Sequence, residues 1–167
     1  MNAVLQPRVT RRPMTVSDLD AMVAVEARVY SHPWSRGNFT DSLAAGYLAD
    51  VLVSGAGELV GYFIAMTGVD ELHLLNITVA PEWQGLGHGQ ALMAALRQHA
   101  QRLGLATLWL EVRQSNQRAR ELYSRLGFEE VGLRRGYYPA AVRREDAVVM
   151  CLALSAARSP GQADAVD

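Results

Sequence analysis

Cysteine is almost absent from this chain. The one thiol, Cys151, excludes an intramolecular disulfide and a cysteine-based zinc site. An excess of charge is missing too. The 16 basic and 17 acidic residues leave a net charge of −1, so the whole-chain balance offers no electrostatic footprint for nucleic acid, a local basic patch aside. No apolar run reaches the length of a membrane span. Met1 to Thr10 holds no apolar stretch of the kind a signal peptide needs, and the expected setting is the cytoplasm, with no membrane or nucleic-acid partner. No repeat or low-complexity tract is present. His32, His73 and His99 lack the spacing of a metal site, and none pairs with a nucleophile pattern, so no metal is expected.

What is present is an ordinary globular composition, 50% hydrophobic and 20% charged over 167 residues, enough for one domain with a core. Residues 1–7 and 156–167 read as flexible ends, the latter from the small, polar "SAARSPGQADAVD", leaving a domain over residues 8–155. Arg8 to Arg12 is a candidate first strand. Ser17 is expected to cap a helix with Leu19, Met22, Val23 and Val29 on its apolar face. A second short helix starts at Ser35. Strands are predicted over Tyr47–Ser54 and Leu59–Val69, joined by a "GAGE" hairpin, and over Glu71–Val79.

A helix from about Gly87 to Leu103 carries Ala91, Leu92, Ala95 and Leu96 on one face. Thr107 to Val112 is a strand. Asn116 to Leu126 is a helix with Ala119, Leu122, Tyr123 and Leu126 on one face, and Gly127 is placed as its C-terminal cap. Phe128–Leu133 and Asp146–Leu154 are the last strands, with the basic "RRGYYPAAVRRED" as their connection. Cys151 falls in the alternating "AVVMCLAL" and is expected in the core. The order β-α-α-β-β-β-α-β-α-β-β implies a mixed α/β (α+β) fold, one sheet of about seven strands with helices on both faces.

The segment "PEWQGLGHGQALM" sets three glycines at alternate positions before a helix. A helix start presents unpaired N–H groups and the positive end of a dipole, which suits a phosphate. A dinucleotide-binding reading fits poorly. Gln90 stands where the third glycine of that fingerprint belongs, and the glycines follow "APEWQ" rather than the strand itself. Read instead as Gln84-Gly85-Leu86-Gly87-His88-Gly89, the loop has a Q-x-x-G-x-G pattern between a strand and a helix. It resembles the pyrophosphate-binding motif of the GNAT acetyltransferase superfamily. "LWLEVRQSNQRARELYSRLGF", "HPWS", "RRGYYP" and "REDAVVM" are similar to segments of the RimI-type ribosomal-protein-alanine N-acetyltransferases. Together these segments cover roughly Ser17 to Leu154.

The resemblance implies a mostly antiparallel sheet with a splayed central parallel strand pair, and acetyl-CoA as co-substrate. Ile77, Thr78 and Val79 would pair through their backbone with pantetheine. Gln84, Gly85, Leu86, Gly87, His88, Gly89 and Gln90 would cradle the pyrophosphate, with His88 exposed and not catalytic. Asn116 suits a helix N-cap on its own, and the resemblance adds a pantetheine contact. Glu111 would be the general base, directly or through water, and Tyr123 would give a proton to the CoA thiolate. No nucleophile is placed for a covalent acetyl-enzyme.

Glu111 stands in a semi-apolar "LWLEV", where burial raises a carboxyl's pKa. A surface carboxylate paired with Arg113 or Arg120 is the alternative. Tyr123 can equally be plain core, its hydroxyl at the rim. The aromatics Tyr30, Trp34, Tyr137 and Tyr138 either wall a groove for an extended acceptor peptide or only pack loops over the sheet. Arg134, Arg135, Arg143 and Arg144 are candidates for CoA phosphate or an acidic partner, or form a solvated face. The acceptor implied is the N-terminal alanine of a small-subunit ribosomal protein. Lysine, a small amine, or acyl-CoA binding without turnover are the other readings. An α-amino group has a pKa near ~7.7–8.0 against ~10.4 for lysine, so its neutral fraction near pH 7 is roughly a few hundred times larger and a modest base suffices.

Overall fold

The computed structural model describes residues 8–140 and 144–154. The expected end segments and Arg143 lie outside the described residues. Seven strands form one sheet: β1 (Val9–Pro13), β2 (Leu48–Ser54), β3 (Leu59–Thr67), β4 (Glu71–Val79), β5 (Thr107–Arg113), β6 (Glu129–Tyr138) and β7 (Glu145–Ala153). Their order across the sheet is β1-β2-β3-β4-β5-β7-β6, and β4–β5 is its one parallel pair. Among the described residues, four helices accompany the sheet: α1 (Leu19–Val29), α2 (Arg36–Ala44), α3 (His88–Arg102) and α4 (Gln117–Arg125).

Each face of the sheet has its own core. On one, α1 and α2 bury Leu19, Met22, Val25 and Phe39 against Val51, Tyr62 and Ile64. On the other, α3 buries Leu92, Met93, Ala95, Leu96 and Ala100 against Phe63, Leu72, Leu108 and Met150, with Ala119, Tyr123 and Leu126 of α4 alongside. Ala91, expected on the inner face of α3, is exposed. At 100° per residue the inward direction falls between Leu92 and Met93, and Ala91 is turned well away from it.

Several local expectations need correction. Ser17 does not cap α1; it lies in a short 3-10 turn, Val16–Asp18, that precedes the helix. Asp18 accepts from the Thr15 N–H at 2.8 Å, and Arg12 clamps the same carboxylate through both terminal nitrogens. Val25 and Glu26 are buried on α1, whereas Val23 and Val29 are half-buried. β3 stops at Thr67, short of Val69, because a tight turn intervenes. The Gly68 N–H meets the Glu71 carbonyl at 2.8 Å and Asp70 takes φ 57°. The basic segment before β7 is not all connection. Arg134 to Tyr138 extend β6, pairing Arg134 with Ala147 and Tyr138 with Glu145. Cys151 is half-buried rather than core: it pairs with Trp109 while Met150 and Leu152 take the core face, and burial pushes its thiol pKa up.

Two features of β4 open the sheet. It pairs with β5 only from Glu71–His73 to Thr107–Trp109, and the two strands run on without pairing to each other. A bulge at Leu75 reverses the alternation of β4. Leu72 and Leu74 face α3, then Asn76 and Thr78 turn to the α1 side while Ile77 and Val79 face α3. Close approach of β3 fixes the far end of β4. A Cβ on Gly61 would stand 2.7 Å from the Thr78 carbonyl oxygen and 3.2 Å from Leu92 Cδ1. Gly61→Ala is therefore expected to destabilise the fold by about 1–3 kcal/mol, the cost of forced overpacking. A denaturant midpoint measures it, and an unchanged midpoint would refute the tight β3–β4 fit.

Candidate active site

The split between β4 and β5 leaves backbone groups without strand partners. The Ala80 N–H reaches the Val60 carbonyl at 2.9 Å. By the alternation of an antiparallel pair, the groups of Ile77 and Val79 then face the split. Side chains take up their carbonyls: Tyr30 Oη donates to Ile77 O at 3.1 Å, and Gln84 Nε2 donates to Val79 O at 3.1 Å. Gln84 thus ties the glycine loop to the strand end by its side chain.

At the mouth of the split the loop passes through a turn, Pro81–Trp83, into α3. Gly85 and Gly87 have φ of 77° and 85°, conformations that disfavour any side chain. Gly89 lies inside the helix, where an added Cβ would stand 3.9 Å from Val79 Cγ2. Leu86 is 65% exposed, and His88 is half-buried edge-on to Trp83 at 5.8 Å. The first helical bond runs from Ala91 N–H to Gly87 O, so the amides of His88, Gly89 and Gln90 precede the helical ladder. The donor set, a helix N-terminus behind two left-handed glycines, fits a pyrophosphate.

Across the split, β5 carries Glu111, two residues before the strand's end, with its side chain 22% exposed. Its partner is neither Arg113 nor Arg120. Arg113 meets Glu145 at 3.2 Å and Arg120 meets Glu130 at 2.9 Å. Arg134 Nη1 donates to Glu111 Oε1 at 2.6 Å, reaching from β6 across the intervening β7, and its guanidinium also lies over the Tyr137 ring at 4.4 Å. The carboxylate is thus ion-paired rather than set in a purely apolar pocket. Arg144 is engaged with the backbone carbonyls of Gly136 and Tyr137.

Tyr123 packs edge-on to Phe128 at 5.7 Å beside the α3 core. Burial, and next the nearby Tyr30, push its phenol pKa up to about 12. Tyr138 Oη donates to the Glu111 carbonyl at 3.0 Å, and its ring sits under Arg113. Burial and then its neighbours Tyr137, Glu111 and Tyr123 raise its pKa, apart from a lowering by Arg113. Tyr30 and Tyr138 thus bond the backbone on the two sides of the split, at Ile77 and Glu111, and Tyr123 lies near enough to each for a charge on one to be felt by the other. Tyr30 and Tyr137 are 39% and 38% exposed. Trp34 is placed differently, tilted on Phe39 at 5.3 Å and packed against the α1–α2 core. Asn116 caps α4, its Oδ1 accepting from the Ala119 N–H at 3.2 Å. Asn116→Ala is expected to cost about 1 kcal/mol of stability, read as a lowered Tm; an unchanged Tm would deny the cap.

Sequence reading missed one part of this region. Glu26 is 1% exposed and faces no cation among the described residues. Tyr62 Oη and Asn76 Nδ2 each donate to its Oε1 at 2.6 Å, and the Trp34 N–H donates to its Oε2 at 3.0 Å. The available signal was a glutamate one residue from Val25 and four from Met22, on the helix's apolar side.

A carboxylate and a phenol beside a split sheet, next to a helix N-terminus suited to an anion, are the arrangement a group-transfer enzyme needs. The profile of the acetyltransferase (GNAT) family matches residues 19–128. The ribosomal protein bS18-alanine N-acetyltransferase of Escherichia coli strain K12 is 40% identical over 142 residues, covering 85% of this chain and 95% of that protein. The crystal structure of the ribosomal-protein-S18-alanine N-acetyltransferase from Escherichia coli superposes with a TM-score of 0.83 at 38% identity, covering 94% of this chain and 100% of that one. The fold is shared with Arabidopsis thaliana NAA60, solved in complex with acetyl-CoA, at a TM-score of 0.77 and 17% identity, covering 88% of this chain and 99% of that one. The chain belongs to the GNAT acetyltransferase family.

Proposed function

We propose that this protein transfers an acetyl group from acetyl-CoA to a protein N-terminal amine, the N-terminal alanine of a small-subunit ribosomal protein, directly within a ternary complex in the cytoplasm. The observation that carries the reading is the 40% identity to a ribosomal protein bS18-alanine N-acetyltransferase across nearly its whole length. Acetyl-CoA supplies an acetyl group already activated as a thioester.

The chain's own residues do the rest. Amides of the glycine loop and the first turn of α3 hold the pyrophosphate, and the open backbone of Ile77 to Val79 holds the pantetheine arm. Tyr30 Oη and Gln84 Nε2 mark where that arm's amides dock, since both satisfy carbonyls that strand pairing leaves free. Asn116 keeps its Nδ2 available for the same arm while its Oδ1 caps α4. Glu111 takes the proton from the incoming amine, directly or through a water, and Tyr123 holds a proton at Oη for the departing sulfur. Tyr30, Tyr137 and Tyr138 line the acceptor's approach. Trp34 supports it from behind through the loop that follows α1.

Two peptides of one sequence test this, each starting with alanine and containing one internal lysine, one with a free and one with a blocked N-terminus. Mass spectrometry after incubation with acetyl-CoA should find acetyl only on the free N-terminus. The protein contains no lysine of its own, so acetyl-lysine in the mixture comes from the peptide. Modification of lysine on both peptides would move the acceptor class to lysine or general amines. No product on either, together with tight acetyl-CoA binding, would leave a non-catalytic acyl-CoA binder.

A further inference from the structure

The buried carboxylate of Glu26 starts a chain of hydrogen bonds whose directions can be counted. It faces three donors, Tyr62 Oη, Asn76 Nδ2 and the Trp34 N–H. With its Nδ2 turned to a carboxylate, Asn76 must point Oδ1 the other way, and there it accepts from Thr78 Oγ1 at 2.7 Å. A hydroxyl has one hydrogen to give. Thr78 has given its hydrogen to Asn76, so towards Tyr30 Oη, 2.8 Å away, it can only accept. The single hydrogen of Tyr30 is thus directed at Thr78 Oγ1 and, at 3.1 Å, at Ile77 O. Among the described residues no group donates to the Tyr30 oxygen, and that oxygen stands at the open side of β4.

We infer that Glu26 is a positioning residue: through Asn76 and Thr78 it sets the direction of the Tyr30 hydrogen bond, so that the Tyr30 oxygen meets the acceptor's amino group as a hydrogen-bond acceptor. The inference rests on the transferase reading of the split. It explains why a full carboxylate is buried here among neutral donors. A carboxyl group that accepts from all three of its neighbours is the head of the chain that cannot be read backwards, whereas an amide can turn over and reverse every bond after it. It also couples the two sides of the site. The same carboxylate holds the Trp34 backbone after α1 and, through Asn76, the strand that lines the split.

Glu26→Gln keeps the size of the side chain and removes this polarity. The introduced amide nitrogen must face donors unless Asn76 turns over. Once it does, Asn76 Nδ2 donates to Thr78, Thr78 donates to Tyr30, and the lone pair at the split is consumed. The acceptor KM is expected to rise about tenfold, the scale of one lost hydrogen bond, with kcat and the acetyl-CoA KM little changed. Adding Asn76→Asp restores the direction, since the introduced carboxylate accepts both from the introduced amide and from Thr78. The acceptor KM of Glu26→Gln/Asn76→Asp should return to within about threefold of wild type.

Tyr30→Phe should raise the acceptor KM by about as much, and Glu26→Gln added to it should have no further effect. A merely structural role would make these losses add and would not be rescued. Tyr30→Phe carries the test if Glu26→Gln does not fold. An unchanged acceptor KM in Tyr30→Phe or in folded Glu26→Gln, a double variant that stays impaired, additive losses in the Tyr30→Phe background, or a rise confined to the acetyl-CoA KM would each overturn the inference. The comparison is made with whichever amine the wild-type enzyme acetylates, so a wrong acceptor class appears in wild type and a wrong role for Glu26 only in the variants.

Discussion

Glu111→Gln is expected to lower kcat by on the order of 10²-fold while acetyl-CoA binds as before. That is the lower end of what a positioned proton acceptor contributes. The substitution is close to silent structurally. The Gln side chain keeps an oxygen for Arg134, which now meets Glu111 Oε1 at 2.6 Å, and the Tyr138 bond goes to the backbone carbonyl and is untouched. What is lost is the capacity to take a proton. An N-terminal amine with a pKa near ~8 is about nine-tenths protonated at pH 7 and must lose a proton before or as it attacks. The deficit should therefore shrink as pH rises through the pKa of the acceptor's own amine, where the neutral form becomes abundant without help. Steady-state kinetics between pH 6.5 and 9 with a free-N-terminus peptide read this out (roughly one unit or more on either side of the amine's pKa). Undiminished kcat would remove Glu111 from the chemistry.

Tyr123→Phe is expected to have a loss of similar order, on the order of 10²-fold in kcat, for the opposite reason. Burial pushes the phenol pKa up to about 12, so the group keeps its proton throughout the working range and can only donate. The phenylalanine ring preserves the edge-on packing against Phe128, and stability should change little. Because the pKa is raised, the wild-type rate should show no alkaline fall from this phenol near pH 10, its ordinary titration point. Such a fall belongs near 12. A Tyr123→Phe enzyme with wild-type kcat would reduce the residue to packing.

Where the sequence was informative, local rules were enough. Glu71–Val79 was bounded correctly because alternation and flanking turns mark a strand. Asn116 and Gly127 mark the ends of α4 because a cap and a left-handed glycine, φ 101°, are local needs. Gly85 and Gly87 were legible for the same reason. The residues that decide the site's chemistry were harder to place, because they depend on register between distant segments. Arg134 reaches Glu111 only because β7 lies between β5 and β6 and brings Ala147 level with Arg134. The bulge at Leu75 shifts Asn76 and Thr78 onto the α1 side, and no pattern within β4 announces it. Glu26 reads as a solvated helix residue until Tyr62 and Asn76, 36 and 50 residues away, are seen to enclose it.

The central claim is that the split between β4 and β5 is where the acetyl group changes hands. The most direct measurement is a crystal structure of the protein with a bisubstrate compound joining CoA through an acetyl link to an alanine-initiated peptide. The predicted result places the pantetheine amides on Ile77 and Val79 and the pyrophosphate on the amides of Gly87 to Gln90. The sulfur should lie within hydrogen-bond distance of Tyr123 Oη, and the alanine nitrogen should be directed towards Glu111. A compound bound outside the split, or one whose sulfur lies beyond reach of Tyr123 while the peptide nitrogen faces away from Glu111, would contradict the account.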